Sequence, residues 1–484
     1  MSATFDVTTE PWIPVRRSTG ETAVLSLTDV LGQAHDLDEI ADTSAMVEYG
    51  LYRLLTVFLM DALRPADDRA LQQLRAAGRF DMDAIGNYIS TCRAEGTTFD
   101  IFDTERPFLQ SPPQAAWDGV RKPVGFIDYT IPTGGNHVHF DHRDAAETAL
   151  SYAQAAQRLP AVQLFCTAAV QGYPSTINGA PPYYVLVRGI NLFETLVLSL
   201  VSAQAVQPAK LDQPPVWWRT DGQIEPKAPV VQTSWLHGAL FPARRLRLIP
   251  DDGLVREMYF AQGLNFDKVA QAWTDPHVAY GYDEKRGRYN WKPNGSKALW
   301  RNIGMLTMRD QLPQILRQLK SRPGASDYVR LQVYGVETNQ ASYLDSRRYD
   351  LELPEAIVGD PEAAQMAMDA VSLAEEVAAL LVRTLRWRGR SDLDRPIADA
   401  ARQQFYDNCE NRFWQYLRRL AAEPDLPADA WFEEVNEAAR QTLDLAIESM
   451  QLRGVDLMHL QKNARKLYAA LGRIRRELAE QVIE

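Results

Sequence analysis

Leu353-Pro354-Glu355-Ala356-Ile357-Val358-Gly359-Asp360-Pro361 is the stretch on which the reading of this chain turns. Before it, strand-like, helical and loop-like pieces alternate. After it, the pattern is almost wholly helical. Four amphipathic segments can be drawn downstream, at Pro361–Arg388, Pro396–Ala422, Pro427–Met450 and Asp456–Val482. Breaks fall at Gly389, at Glu423-Pro424-Asp425 and at Gly454, where glycine and proline end helices. Long amphipathic segments with short connections predict an antiparallel four-helix bundle.

Working outward from there, residues 1–30 read as a β-hairpin. Thr4-Phe5-Asp6-Val7 and Trp12-Ile13-Pro14-Val15 are strand-like, Ser18-Thr19-Gly20-Glu21 is a turn, and Ala23 to Leu27 returns. Ser44 to Leu63 and Asp81 to Arg93 read as helices, and Ala145 to Val170 is helical apart from Pro160. Tyr183–Val187 and Tyr328–Tyr334 are strands, and a Pro-rich connector runs from Gln207 to Val230. The fold class expected is α+β: an irregular mixed N-terminal domain over 1–358, then a C-terminal antiparallel four-helix bundle over 359–484.

The 484 residues carry 52 Lys and Arg against 63 Asp and Glu, a formal charge of −11. That excludes a uniformly basic nucleic-acid-coating domain but leaves room for local basic patches. With 46% hydrophobic and 24% charged residues the composition is that of a globular protein. Cys92, Cys166 and Cys409 lie far apart with no CxxC pair, which fits a reducing cytoplasm rather than a disulfide scaffold. The N-terminus has no signal-peptide pattern. The most apolar window, Val47 to Leu63, contains Glu48, Arg53 and Asp61 and reads as a buried helix rather than a membrane span.

The run His137-Val138-His139-Phe140-Asp141-His142 has the HxHxDH form of a metal-ligand motif. Imidazoles two apart can share one metal while Asp141 and His142 serve a second. The preceding Pro132-Thr133-Gly134-Gly135-Asn136 is loop-like where that motif needs an apolar strand. Only His237, His277 and His459 remain downstream as partners. A metal-dependent hydrolase or nuclease is therefore the alternative reading, against a polar His-rich loop. No P-loop, dinucleotide-binding glycine motif or nucleophile elbow is present.

Lys462, Lys466, Arg473 and Arg476 recur at helical spacings and share one face of the last helix, a candidate phosphate-contacting stripe. Arg383, Arg386, Arg388 and Arg390 close the first bundle helix around Trp387, as a basic patch or as ordinary helix-end charge. Val336 to Ser342 follows a strand and reads as an exposed loop. Asn339 and Gln340 offer paired donors and acceptors that suit base edges, although turns are commonly rich in Asn. On its chemistry alone Lys268 is an ordinary surface lysine.

Four stretches occur in order ahead of the bundle: Glu10-Pro11-Trp12-Ile13-Pro14-Val15, Arg106-Pro107-Phe108-Leu109-Gln110, Val187-Arg188-Gly189-Ile190-Asn191-Leu192 and Asn339-Gln340-Ala341-Ser342. This ordered set resembles the CasA family, the large subunit of the type I-E CRISPR Cascade surveillance complex, over essentially the whole chain. The resemblance implies a cytoplasmic, non-catalytic subunit of an antiviral defence complex, without cofactor or metal. It implies crRNA, double-stranded target DNA, the backbone, small and 5′-handle-binding Cascade subunits, and a helicase-nuclease as partners. Gln340, with Asn339 beside it, matches a wedge inserted next to the protospacer-adjacent motif (PAM). Lys268 matches a lysine reaching the minor groove. Gly172 and Tyr173 open a loop that matches one approaching the same groove. Phe140 matches an aromatic residue that contacts the crRNA 5′ handle. The loop from Gly172 to Gly179 is poorer in glycine than in some relatives, and no cysteine cluster precedes Lys268. A purely structural assembly subunit is a third possibility.

Overall fold

The computed structural model describes residues 3–112, 120–129, 131, 147–167, 175–206, 216–224, 230, 232–266, 273–285, 287–295, 297–319, 327–339, 342–386, 394–423, 426–427, 429–450 and 455–481. The chain divides into two units. The first holds Met1–Pro293, Pro313–Ala325 and Val329–Glu352; the second holds Asn294–Leu312, Ser326–Tyr328 and Leu353–Glu484.

The first unit is built around helix α1 (Ala45–Leu63). Ser44 caps it by accepting from the Val47 N–H at 3.4 Å. Every residue from Met46 to Asp61 is buried, so the helix is walled in all round. Its charged residues must therefore be paired within the fold. Helix α2 (Tyr152–Phe165) crosses it at Gly50, where an added Cβ would stand 3.0 Å from the Ala161 backbone nitrogen. The sequence pattern predicts an interruption at Pro160, yet α2 runs through it. Leu159, Ala161, Val162, Leu164 and Phe165 are all buried around it. That apolar burial offsets the one backbone hydrogen bond a proline forgoes.

Strand β1 (Ile13–Arg17) pairs antiparallel with β2 (Thr22–Leu25), with Ile13 opposite Leu25, and also with β3 (Leu37–Ile40). The predicted hairpin is thus present. Thr4 to Val7 is not one of its strands; Asp6 makes only an isolated bridge to Asp100. A second sheet centres on β8 (Leu254–Gln262), paired with β7 (Arg244–Asp251) and with the shorter β4 (Val120–Pro123) and β5 (Leu150–Ser151). In a third, β11 (Tyr328–Asn339) lies between β6 (Tyr184–Val187) and β12 (Ser342–Pro354). A separate hairpin pairs β9 (Tyr280–Asp283) with β10 (Gly287–Asn290). The Pro-rich stretch predicted as a connector contributes to the core, because Trp217 and Trp218 are both buried.

β6 leads through Val187-Arg188-Gly189-Ile190 into α3 (Leu192–Ser199), which Asn191 caps through the Glu194 N–H at 2.9 Å. A Cβ on Gly189 would run into Glu194 and the Thr195 backbone, which explains the glycine in this motif.

In the second unit, Asp360 caps α4 (Pro361–Leu385) by accepting from the Ala363 N–H at 2.9 Å, and Pro361 fills the first turn. Ala364, Ala367, Ala370, Val371, Ala374, Ala378 and Leu381 form its buried seam. Small residues there let α5 (Asp394–Ala422), α6 (Ala430–Met450) and α7 (Val455–Gln481) pack closely against α4. The Trp431 indole donates to the Ala370 carbonyl at 2.7 Å, pinning α6 to α4. The sequence pattern does not show that Asn294–Leu312 joins this unit. Trp300 is fully buried with its ring centroid 5.1 Å from that of Phe413. Arg301 pairs with Glu375 at 2.7 Å. Among the described residues, no helix is long and apolar enough to cross a membrane.

Candidate nucleic-acid interface

Phe140, Gly172, Tyr173, Lys268 and Gln340 lie outside the described residues, as does the His137–His142 run. The described residues that flank these segments are informative, because all belong to the first unit and one near each segment joins a common chain of contacts.

β11 and β12 are neighbours in the sheet, and only Gln340 and Ala341 separate them. Two residues reach about 7 Å, too short for a parallel crossover, so the strands form an antiparallel hairpin. The sequence pattern makes Val336 to Ser342 a loop. The structure keeps Val336 to Asn339 in β11 and begins β12 at Ser342. Val336 is buried, and packing on the core extends the strand past its polar residues.

The base of this hairpin is clamped by charge. Arg348 on β12 donates to Glu48 on α1 and to Glu39 on β3, each at 2.8 Å. The Tyr334 hydroxyl on β11 donates to Glu48 at 2.5 Å, and Arg188 reaches Glu39 at 3.3 Å. Burial pushes Glu48 up to about 7, against the opposing pull of Arg348 and the Tyr334 hydroxyl. Beyond Gln340 and Ala341, Tyr343 donates its hydroxyl to the Phe165 carbonyl at 2.7 Å. Its ring stacks on Tyr129 at 4.4 Å and 18°. Tyr129 lies three residues ahead of the segment that holds Phe140, and Phe165 closes α2 three residues ahead of the segment that holds Gly172 and Tyr173.

On the far side of that last segment, Thr176 and Gly179 form a bridged turn in which Gly179 has φ +77°. The Asn178 amide donates to Asp275 at 3.0 Å. Asp275 lies three residues past the segment that holds Lys268. It is held by Arg53 of α1, which donates to both carboxylate oxygens at 2.8 and 2.7 Å. This ion pair is fully buried. Arg53 also donates to the Tyr49 hydroxyl at 2.6 Å, and Tyr49 stacks on Tyr184 at 4.4 Å. Phe165 meets Tyr184 edge-on at 5.5 Å. A continuous chain of contacts therefore runs from Tyr129 through Tyr343, Phe165, Tyr184, Tyr49 and Arg53 to Asp275 and Asn178. The sequence offers no local sign of it, because Arg53 and Asp275 are 222 positions apart.

Of the downstream histidines that a metal reading needs, His237 and His277 are otherwise engaged. His277 contacts the Tyr49 hydroxyl at 3.2 Å and the Ser199 carbonyl at 2.9 Å, and His237 contacts Thr233 at 3.0 Å. Burial lowers both to about 4, so they are neutral at pH 7. Among the described residues, no group of three or more His, Cys, Asp or Glu is placed to hold a metal. Cys92, Cys166 and Cys409 are buried and free, and burial raises each thiol.

In the second unit, Leu460, Ala464, Leu467 and Leu471 form the buried face of α7. Lys462, Lys466, Arg473 and Arg476 are exposed. Lys462, Lys466 and Arg473 make no ion pair among the described residues, while Arg475 is held by Glu433 at 2.9 Å. Arg383 and Arg386 are exposed at the end of α4; Arg388 and Arg390 lie outside the described residues.

The sequence model of the CRISPR-associated protein Cse1 family matches residues 6–445. Among solved structures, the chain is similar to Cse1 from Acidimicrobium ferrooxidans, at 24% identity and a TM-score of 0.80, covering 99% of each chain. It is similar to CasA (Cse1) of Thermus thermophilus at 23% identity and a TM-score of 0.80, over 97% of this chain and 99% of that one. It also resembles a chain of a CRISPR RNA-guided surveillance complex at 19% identity and a TM-score of 0.74, over 97% of this chain and 99% of that one. No curated protein sequence matches.

Proposed function

The chain belongs to the CRISPR-associated Cse1 family, and from that premise we propose that it is the non-catalytic large subunit of a type I-E crRNA-guided surveillance complex. In this reading it recognises the PAM of double-stranded DNA, starts strand separation and docks the helicase-nuclease. Gln340, beside Asn339, is the wedge. Lys268 and the Gly172-Tyr173 loop approach the minor groove, Phe140 contacts the crRNA, and Lys462, Lys466, Arg473 and Arg476 hold DNA phosphates.

One observation carries the reading. A residue within three positions of each of the four segments belongs to a single network in one unit, from the half-buried Tyr129–Tyr343 stack to the fully buried Arg53–Asp275 pair. Short recognition segments rooted in one rigid network can act on one short stretch of duplex. The chemistry is coherent. Minor-groove edges separate mainly A·T from G·C, so a reader there accepts several PAM sequences. A wedge costs a few kcal/mol of unstacking. The RNA–DNA hybrid is about as stable as the duplex it replaces, so local opening suffices to seed the exchange.

Reconstitution with crRNA and the other subunits tests this. Lys268→Ala and Gln340→Ala are expected to weaken binding to targets that bear the PAM while leaving assembly intact. Unchanged PAM-dependent binding in both variants contradicts the site assignment. A metal-dependent nuclease activity lost on His139→Ala contradicts the non-catalytic reading.

A further inference from the structure

The β9–β10 hairpin places Tyr282 opposite Arg288, Gly281 opposite Tyr289 and Tyr280 opposite Asn290. Opposed residues share a face, so Tyr280, Tyr282, Arg288 and Asn290 lie on one side. The root of that side is fully engaged. The Tyr280 hydroxyl accepts from the Asp275 N–H at 3.0 Å. Asn290 donates to the Asn178 carbonyl at 2.5 Å. Arg288 lies 4.4 Å from the Tyr280 ring centroid and donates to Thr274 and to the Trp273 carbonyl at 2.9 and 3.1 Å. On the other side the Tyr289 ring lies across Gly281, where any Cβ would meet it. These contacts make the hairpin a rigid element.

Tyr282, farther along the same face, is 74% exposed and makes no ring contact among the described residues. The exposed Asp283, Glu284 and Lys285 follow it in sequence, so the ring rather than local charge is what this face offers. A large exposed ring fixed on a rigid support is an arrangement on which an unpaired base can stack. The base stacks on the ring, and because the support is already rigid little conformational entropy remains to be lost.

We propose that this hairpin is a stacking platform for unpaired DNA, with Tyr282 as the ring. This rests on the reading that neighbouring segments open a duplex. The choice of DNA over RNA follows from position. Arg288 and Asn290 are bonded to Trp273, Thr274 and Asn178, the flanks of the two segments assigned to the DNA groove. The segment assigned to crRNA is instead flanked by Tyr129, which is tied to Tyr343.

The test uses the reconstituted complex and two DNA probes that share a PAM. One is a pre-opened fork with a fluorescent adenine analogue in its unpaired strand, and the other is a fully paired duplex. Tyr282→Ala is expected to lower affinity for the fork about tenfold and release the fluorophore, with Tyr282→Phe close to the parent and Tyr282→Leu close to the alanine variant. The proposal is overturned if Tyr282→Ala binds the fork like the parent, or if the leucine variant matches phenylalanine. It is also overturned if the loss is greater on an unpaired RNA strand, or appears only as failed assembly with other subunits. The fork is already open, so this result separates from the function proposed above. If Gln340→Ala and Lys268→Ala leave duplex opening unchanged while Tyr282→Ala still weakens fork binding, the wedge reading falls and the platform stands.

Discussion

At the scale of single residues, Asp275 acts as a positioning residue. It orients the Asn178 turn while being held itself by a fully buried Arg53. Removing one member of such a pair leaves an uncompensated charge, so Asp275→Ala is expected to cost about 3–5 kcal/mol. Replacing both, as Arg53→Met with Asp275→Leu, is expected to recover much of that loss in chemical denaturation. Two other buried groups give opposite pH dependence. Glu48 is raised from 4.5 to about 7, so it takes up a proton on folding. Its contribution to stability is full below the unfolded value and is lost as pH rises through about 7. His277 is lowered from 6.5 to about 4, chiefly by burial and then by the Arg53 charge. Its contribution is present above 6.5 and is lost as pH falls through about 4. Thermal melts across pH are expected to show that Glu48→Gln flattens the decline on the neutral side and His277→Gln the decline on the acid side. None of these roles was legible in the sequence, because each depends on a partner distant along the chain.

At the scale of elements, legibility followed locality. α1 was readable because its cap and its apolar run sit in one window, from Ser44 to Leu63. The bundle was readable because proline, glycine and helical period mark each segment. The β11–β12 hairpin was only half readable, since Val336 to Asn339 looks like loop until the buried sheet beneath it is seen. The β9–β10 hairpin was missed, because Tyr282 and Arg288 become neighbours only through strand register. The α7 stripe was readable from spacing, and its four residues are exposed. If it holds phosphates, reversing charge at Lys466 and Arg473 should weaken non-specific DNA binding of the complex. The slope of log affinity against log salt should fall by about 0.9 for each phosphate that is no longer neutralised. An unchanged slope would assign these residues to something other than DNA.

At the scale of the whole molecule, the charge of −11 and the proposed DNA contact are compatible. Many of the acids are engaged in internal ion pairs, as Glu39, Glu48, Asp61 and Asp275 are. The candidate DNA contacts are confined to short segments and one helix face. A subunit whose partner RNA supplies sequence specificity needs only brief contact with a short motif, and the isolated chain is expected to bind DNA weakly. The central claim is that the segments rooted in this network open DNA beside the PAM. It is tested most directly by placing a fluorescent adenine analogue at the first base pair next to the PAM and adding the reconstituted complex. The account predicts a rise in fluorescence with the parent protein that depends on the PAM and is largely lost with Gln340→Ala. An equal rise with Gln340→Ala, or one indifferent to the PAM, would contradict it.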